Sequence, residues 1–139
     1  LIKHCNNMQC AALLLTLNKA AYAAFLDDKM AYKFINNYET KLTAQATAAE
    51  TSITVANAAG LSLAAGEVYR MTIQNADASL YELVDVIAIS GTTLTITRAQ
   101  EGTTAQVWPA GSLVLIGVTA EQMAQIGYIG AALTAILGA

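Results

Sequence analysis

Two carboxylates, Glu82 and Asp85, are the residues of this chain that most suggest acid–base chemistry. They stand three positions apart in the stretch 80–89, which reads as a β-strand. Residues three apart on a regular strand point to opposite faces of the sheet, so these two groups would not cooperate as general acid and base. We therefore expect them to be solvated, or paired with Arg70 or Arg98.

Metal ligation and nucleophilic catalysis have few candidate residues in this sequence. His4, Cys5 and Cys10 supply three of the four ligands that zinc requires, and no second cluster of such residues completes the set. A disulfide framework would spread its cysteines across the domain. Because His4 is the single histidine, Ser–His–Asp and Cys–His mechanisms lack a base. We predict no enzymatic activity, no cofactor and no metal site.

The segment after residue 97 carries residues suited to ordering a loop. Arg98 and Glu101 are placed to form a salt bridge, although an exposed pair contributes less than about 1 kcal/mol. Gly102 allows a sharp bend. Trp108, which precedes Pro109, is interpreted either as a carbohydrate platform or as a plug for one end of a barrel or sandwich. We predict that Arg98, Glu101, Gly102 and Trp108 order this loop.

The composition of the chain predicts contact with partners. Of its 139 residues, 55% are hydrophobic and 12% are charged, whereas about 25% of an ordinary soluble domain is charged. A domain of this size leaves much of its surface in water, so the apolar surplus must face other chains or a membrane. The net charge of −3 and the scattered basic residues argue against binding to nucleic acid.

The elements that must position these residues follow from the hydrophobic period. Between residues 38 and 118 the period is two, with turn residues between the apolar stretches. The clearest unit is a hairpin that turns at Gly91, which permits a positive φ. The remaining strands are expected at 52–56, 68–73 and 113–118. We predict a mainly β domain, either a small antiparallel sandwich or a partly open barrel, with an apolar helix at each end.

The first 37 residues are predicted to form an N-terminal helical segment. Apolar residues recur at spacings of three and four from Met8 to about Phe34. Residues 1–29 resemble a separate element that is processed, fused or variably started. On the apolar face we expect three assembly contacts: Leu13, Leu17 and Phe25.

The last 21 residues, 119–139, are predicted to form a C-terminal apolar helix. Thr119 and Gln122 have the spacing of a capping box, and the helix from Met123 to about Leu137 carries no charge. Burial in a symmetric assembly explains this composition, and so does insertion in a bilayer, for which the helix is marginally short. Four further assembly contacts are expected on this helix: Tyr128, Ile129, Leu133 and Ile136.

Three stretches resemble a module that is common in tailed-phage virion proteins. They are residues 80–86, the hairpin and loop at 90–105, and residues 108–115, with a weaker likeness at 34–55. The most specific piece is RAQEGTTA at 98–105. Similar modules lie at the N-termini of tail-fibre or tail proteins and occur as short stand-alone virion proteins. The resemblance covers about residues 30–125.

The resemblance implies a structural protein of the virion, such as a tail or fibre-anchor, collar or adaptor subunit. Its partners would be tail, fibre or capsid subunits and further copies of itself, a trimer being one option. Three alternatives stay open at this point. They are a capsid decoration or cement protein, a membrane-associated β-domain anchored by its C-terminal helix, and a carbohydrate-binding module that uses Trp108.

Overall fold

The computed structural model describes residues 31–137, and within this range the chain forms seven β-strands and one α-helix. The elements are β1 (Ala31–Tyr32), β2 (Glu39–Lys41), β3 (Ser52–Thr54), β4 (Glu67–Gln74), β5 (Tyr81–Ser90), β6 (Thr93–Gln100), β7 (Leu113–Leu115) and α1 (Ala120–Leu137). The predicted mainly β class is therefore confirmed.

The strands form one antiparallel sheet in the order β2-β7-β4-β5-β6-β3, to which β1 adds in parallel beside β4. The sheet curls into a half-barrel, which brings its two outer strands together. Leu42 and Val55, just past β2 and β3, form an isolated bridge. Beside it the Thr43 N–H donates to the Thr54 carbonyl at 2.9 Å. These contacts satisfy backbone groups that an open sheet edge would leave to water.

The concave face of the sheet holds the hydrophobic core. Tyr69, Met71 and Ile73 alternate along β4 and are buried there, as the period of two predicted. Val84 and Val86 face them from β5, each directly beside its partner in the β4–β5 register. The core is completed by nine further buried residues: Tyr38, Leu42, Ala46, Ile53, Val55, Leu94, Ile96, Trp108 and Val114.

The predicted hairpin is confirmed as β5 and β6. Ser90 pairs with Thr93, which leaves a two-residue loop, and Gly91 has a φ of 60°. The pairing shifts register further along, because Leu83 lies opposite Gln100 whereas Asp85 lies opposite Thr97. Strand β6 therefore carries one extra residue here, which is a β-bulge.

The helix expected to reach about Phe34 is wrong for residues 31 and 32. These residues form β1, where the Ala31 N–H donates to the Gly66 carbonyl at 3.2 Å and the Lys33 N–H to the Val68 carbonyl at 2.8 Å. Pairing with β4 overrides the local helical pattern. The sheet thus begins before the predicted boundary at residue 38, and residues 33–37 are not helical either, whereas residues 1–30 lie outside the described residues.

The predicted strand at 113–118 is confirmed as β7, although it ends at Leu115. It pairs with β2 on one side and with β4 on the other, so it is a central strand, as its apolar residues on both faces indicated.

The capping box that begins the C-terminal helix is confirmed. The Thr119 N–H donates to the Gln122 Oε1 at 3.0 Å, and the Gln122 N–H donates to the Thr119 Oγ1 at 3.4 Å. Gln122 is buried, whereas Met123, Ile126 and Leu137 are exposed. Within residues 31–137, no helix combines the length and the apolar character needed to cross a membrane.

Candidate functional site

A buried ion pair between Glu82 on β5 and Arg98 on β6 lies at one end of the core. The Arg98 Nε and Nη2 donate to the Glu82 Oε1 and Oε2, each at 2.7 Å. Such a bidentate arrangement is the strongest form of charge-assisted hydrogen bond between side chains. Because Glu82 is fully buried, the pair depends on the protein rather than on water for its polar contacts.

The same carboxylate also binds the loop that follows β6. Glu82 Oε2 accepts a hydrogen bond from the indole Nε1 of Trp108 at 2.8 Å and from the Gln106 N–H at 3.1 Å. Glu82 Oε1 accepts from the Ala99 N–H at 3.1 Å. One carboxylate therefore fixes the end of β6 and two points of this loop, and we call it and its partners the Glu82 cluster: Glu82, Arg98, Ala99, Gln106 and Trp108.

Arg98 connects the Glu82 cluster to the backbone of two separate segments. Its Nη1 donates to the Thr47 carbonyl at 2.7 Å, and its Nη2 donates to the Gln106 carbonyl at 2.6 Å. The guanidinium thus connects the segment before β3 to the loop after β6, so it acts as a cross-link between distant parts of the chain.

Trp108 occupies the interior of the barrel end. Its ring is 1% exposed, and its backbone N–H and carbonyl exchange hydrogen bonds with Ala46, both at 2.8 Å. The interpretation as a plug is confirmed. The carbohydrate-platform interpretation is wrong, because a buried ring presents no face on which a sugar can stack.

A second cluster lies on the convex face of the sheet, around Arg70 of β4. Asp85 is its cross-strand partner, and the Arg70 Nε and Nη2 each donate to this carboxylate at 2.8 Å. Arg70 Nη1 donates to the Glu101 Oε1 at 2.7 Å and to the Glu121 Oε2 at 2.5 Å. The Tyr32 ring covers the guanidinium, whose central carbon lies 4.7 Å from the ring centroid. These five residues form the Arg70 cluster.

The Arg70 cluster holds the first turn of α1. The Thr119 hydroxyl donates to Glu101 Oε1, and the Glu121 N–H donates to Glu101 Oε2 at 3.3 Å. A carboxylate at a helix N-terminus is favoured by the unpaired N–H groups and by the helix dipole. Glu101 therefore joins the loop after β6, strand β4 and helix α1.

The structure decides which arginine each carboxylate contacts. The predicted pairing of Glu82 and Asp85 with arginines is confirmed, with Arg98 and Arg70 respectively. The alternative that they are solvated is wrong, because both are buried. The two carboxylates also face opposite sides of the sheet, since one borders the core and the other lies under α1.

The predicted Arg98–Glu101 salt bridge is wrong. Arg98 turns toward the core and binds Glu82, whereas Glu101 lies on the convex face and binds Arg70. The β-bulge causes this separation, because the backbone adopts a left-handed conformation at Ala99 (φ 56°), at Glu101 (φ 49°) and at Gly102 (φ 75°). Of these three residues, Gly102 alone adopts such a conformation without steric cost.

The electrostatics of the two clusters favour charged carboxylates. Burial by itself would raise the pKa of Glu82, but hydrogen bonds from Arg98, Trp108 and the backbone hold it below its ordinary value of 4.5. Burial likewise raises the pKa of Glu101, and the hydrogen bonds from Thr119 and Arg70 outweigh it, so that pKa is also lowered. Both groups are ionised at neutral pH and serve as acceptors.

Burial disfavours the charged form of Arg70, but hydrogen bonds to Asp85, Glu101 and Glu121 outweigh it and raise the pKa of the guanidinium. The pKa of Tyr32 is raised by burial and by the nearby charge of Asp85. The Arg70 cluster therefore keeps its arginine charged and its tyrosine neutral.

The arrangement supports a structural role for both clusters. Within the described residues, every buried side-chain nitrogen or oxygen has a hydrogen-bond partner. No group of three or more His, Cys, Asp or Glu side chains in residues 31–137 is arranged to hold a metal ion. Each carboxylate and guanidinium of the clusters is hydrogen-bonded to a protein partner, which fixes the loop after β6 and the start of α1.

Two contributors escaped the sequence analysis. Tyr32 lies where the pattern indicates a helix, and Glu121 belongs to the helix start, where only Thr119 and Gln122 were singled out. The acidic residue in the first turn of α1 was the available signal for Glu121, since such residues commonly stabilise helix N-termini.

The structure does not test the predicted assembly contacts. Leu13, Leu17 and Phe25 lie outside the described residues, as do His4, Cys5 and Cys10. Tyr128, Ile129, Leu133 and Ile136 belong to α1, and their side chains are outside what the structure describes. These contacts stay predictions.

Replacing Ala99 with Gly should stabilise the fold. Ala99 holds a φ of 56° at the β-bulge, which costs a non-glycine residue roughly 1–2 kcal/mol. Gly removes this cost but gains freedom when unfolded, so we expect a net rise of about 0.5–1 kcal/mol in the free energy of unfolding. Urea titration measures it. Ala105→Gly is the control, because Ala105 has no positive φ, and this variant should lose stability. Equal losses in both variants would contradict backbone strain at Ala99.

No protein-family model matches the chain, and no curated protein matches its sequence.

Proposed function

We propose that this protein is a structural subunit of a bacteriophage virion, of the tail, fibre-anchor, collar or adaptor kind, and that it works by protein–protein assembly. The residues that carry the resemblance to phage modules include Glu82, Arg98, Gly102 and Trp108. They belong to, or adjoin, the buried framework that fixes the loop after β6. Residues with this role suit a protein whose task is to hold a shape.

The exposed helix α1 is the observation that carries the assembly role. After Gln122 the helix contains no charged residue, and Met123, Ile126 and Leu137 are between 57% and 72% exposed. A helix that is apolar on all sides is normally buried. Covering these side chains would contribute about 25 cal/mol for each Å² of apolar surface removed from water. We expect further copies of this chain to cover them, a trimer being one arrangement.

Replacing Ile126 with Lys should weaken this self-association. The substitution places a charge on the exposed apolar side of α1, where burial without a partner is costly, so we expect the dissociation constant to rise at least about tenfold. Sedimentation velocity over a range of concentrations measures the change. Ala124→Lys is the matched control, because its side chain lies about 200° away around the same helix.

A wild-type protein that sediments as a monomer at every concentration would overturn the self-association. Equal effects of Ile126→Lys and Ala124→Lys would overturn its assignment to one side of the helix.

Location in the particle tests the virion role directly. Antibodies raised against the β-domain should label the tail or its attachment point in purified particles of the phage that encodes this chain. Labelling across the capsid surface would instead identify a decoration protein. Particles without label, together with flotation of the protein on liposomes, would overturn the proposal in favour of a membrane-associated role.

A further inference from the structure

Strand β5 is longer than its pairing with β4. The register between the two strands ends at Tyr69 and Val86, whereas β5 continues to Ser90. The last residues of β5 pair with β6 on their other side, as Ala88 does with Thr95. The edge of β5 that faces away from β6 thus has no β4 partner over residues 87–90.

An open groove of about 490 Å³ runs along this edge. The segment 61–65, which leads toward β4, forms its opposite wall. Among the hydrogen bonds of the described residues, none joins 61–65 to 87–90. The two walls therefore lie side by side without completing the sheet, and the volume is in the range of about 300–1,000 Å³ that is usual for binding sites.

The lining of the groove is uncharged, and polar and apolar atoms contribute to it in nearly equal parts. It consists of the following residues: Leu61, Ser62, Leu63, Ala64, Ala65, Ile87, Ala88 and Ile89. Lys33 is a nearby cation, and it is already bonded to the Ser62 carbonyl at 2.9 Å and to Glu67 at 3.1 Å. A charged occupant would lose water in this groove and find no free counter-charge, so the groove suits a neutral one.

Natural sheets protect such an edge with charged residues, proline or a β-bulge. Residues 87–90 contain no charged residue and no proline, and Ile87, which is 44% exposed, is the extra residue of a β-bulge between Val86 and Ala88. Elsewhere in the described sheet, the outer strands β2 and β3 are joined by backbone hydrogen bonds. The end of β5 is thus a strand edge without charged residues or proline, and the uncharged groove lies beside it.

We propose that this groove binds an extended, uncharged segment of a partner protein, which adds to β5 as a further strand. Main-chain hydrogen bonds to the strand edge would supply affinity. The groove beside that edge would select small apolar side chains at alternate positions of the partner segment. This docking mode requires only the groove and the strand edge, and it holds whether or not the partner belongs to a virion.

The probe for this site is the capped peptide Thr-Val-Thr-Val-Thr, which is uncharged and favours the extended conformation. Titrated into the isotope-labelled full chain, it should produce saturable shifts in the amide signals of residues 61–65 and 87–90, with a dissociation constant of about 1 mM or below. Ile87→Lys should weaken binding at least about tenfold, because a charge then lies in the groove. Val107→Lys is the control, since Val107 is a similarly exposed β-branched residue outside the groove.

A second peptide with proline at its centre should bind at least about tenfold more weakly, because proline removes a main-chain donor. The absence of saturable shifts up to about 1 mM of the first peptide would overturn the proposal. Concentration-dependent shifts of the same amides without peptide would also overturn it, because a second copy of the chain would then cover the groove.

Discussion

Replacing Glu82 with Gln is expected to lower the free energy of unfolding by about 3–5 kcal/mol. The substitution keeps the size of the side chain but leaves the buried Arg98 guanidinium without its counter-ion. It also exchanges one carboxylate oxygen, an acceptor for Trp108 and Gln106, for an amide group that cannot accept all of these bonds. Urea denaturation followed by far-ultraviolet circular dichroism measures the loss.

Two further variants distinguish the loss of the ion pair from the general effect of replacing a Glu. Glu39→Gln changes an exposed carboxylate on β2, and we expect a change within about 0.5 kcal/mol. The double variant Glu82→Leu with Arg98→Met removes both charges, so it should be less destabilised than the sum of the two single changes. A loss below about 1 kcal/mol in Glu82→Gln would show that the cluster does not hold the loop.

Replacing Arg70 with Met should have a comparable effect, again about 3–5 kcal/mol at neutral pH. The change leaves three carboxylates around an uncharged side chain: Asp85, Glu101 and Glu121. It also releases the first turn of α1, so the amide hydrogens at the start of the helix should exchange faster with solvent. Denaturation and hydrogen exchange measure the two effects separately.

In Arg70→Met, stability should rise on acidification, whereas the stability of the native protein should fall. In the native protein, the pKa values of Glu82 and Glu101 are below 4.5, so the unfolded chain binds protons first and stability falls as the pH drops through and below that value. Without Arg70, Glu101 loses a hydrogen bond and an opposite charge that lower its pKa, whereas burial and like charges raise it, so the folded state binds protons first. Between about pH 7 and pH 5 the variant should therefore gain stability on acidification.

Arg70→Lys is the matched control for the sign of this slope. It keeps the positive charge but loses the planar fork that contacts Asp85 twice. We expect an intermediate loss of stability and the same sign of pH dependence as in the wild type. If Arg70→Met loses stability or stays unchanged between about pH 7 and pH 5, the three carboxylates are not held by that charge.

The amino-acid sequence by itself determined the local elements of this protein. The alternation along β4 and β6 predicted which residues enter the core, and Gly91 located the hairpin turn. Thr119 and Gln122 located the start of α1 through their capping box. Each of these signals acts over two to four residues, so backbone geometry within one element is enough to produce it.

Only the tertiary structure decided which charged residues meet. Arg98 and Glu101 are close in the chain, yet they lie on opposite faces of the sheet. Arg70 draws Glu101 and Glu121 from 31 and 51 positions away in sequence. An ion pair carries no local signal, because a carboxylate is equally compatible with water or with any arginine that the fold brings within reach.

The β-bulge after Thr97 is the main reason why the sequence did not predict which charged residues meet. The left-handed backbone at Ala99 is stabilised by the Glu82 carboxylate, and that at Glu101 by Arg70 and by α1. Non-glycine residues rarely adopt this conformation, so no sequence pattern predicts it. The same tertiary preference placed Ala31 and Tyr32 in a strand, because β4 offered hydrogen bonds that a local helical pattern could not outweigh.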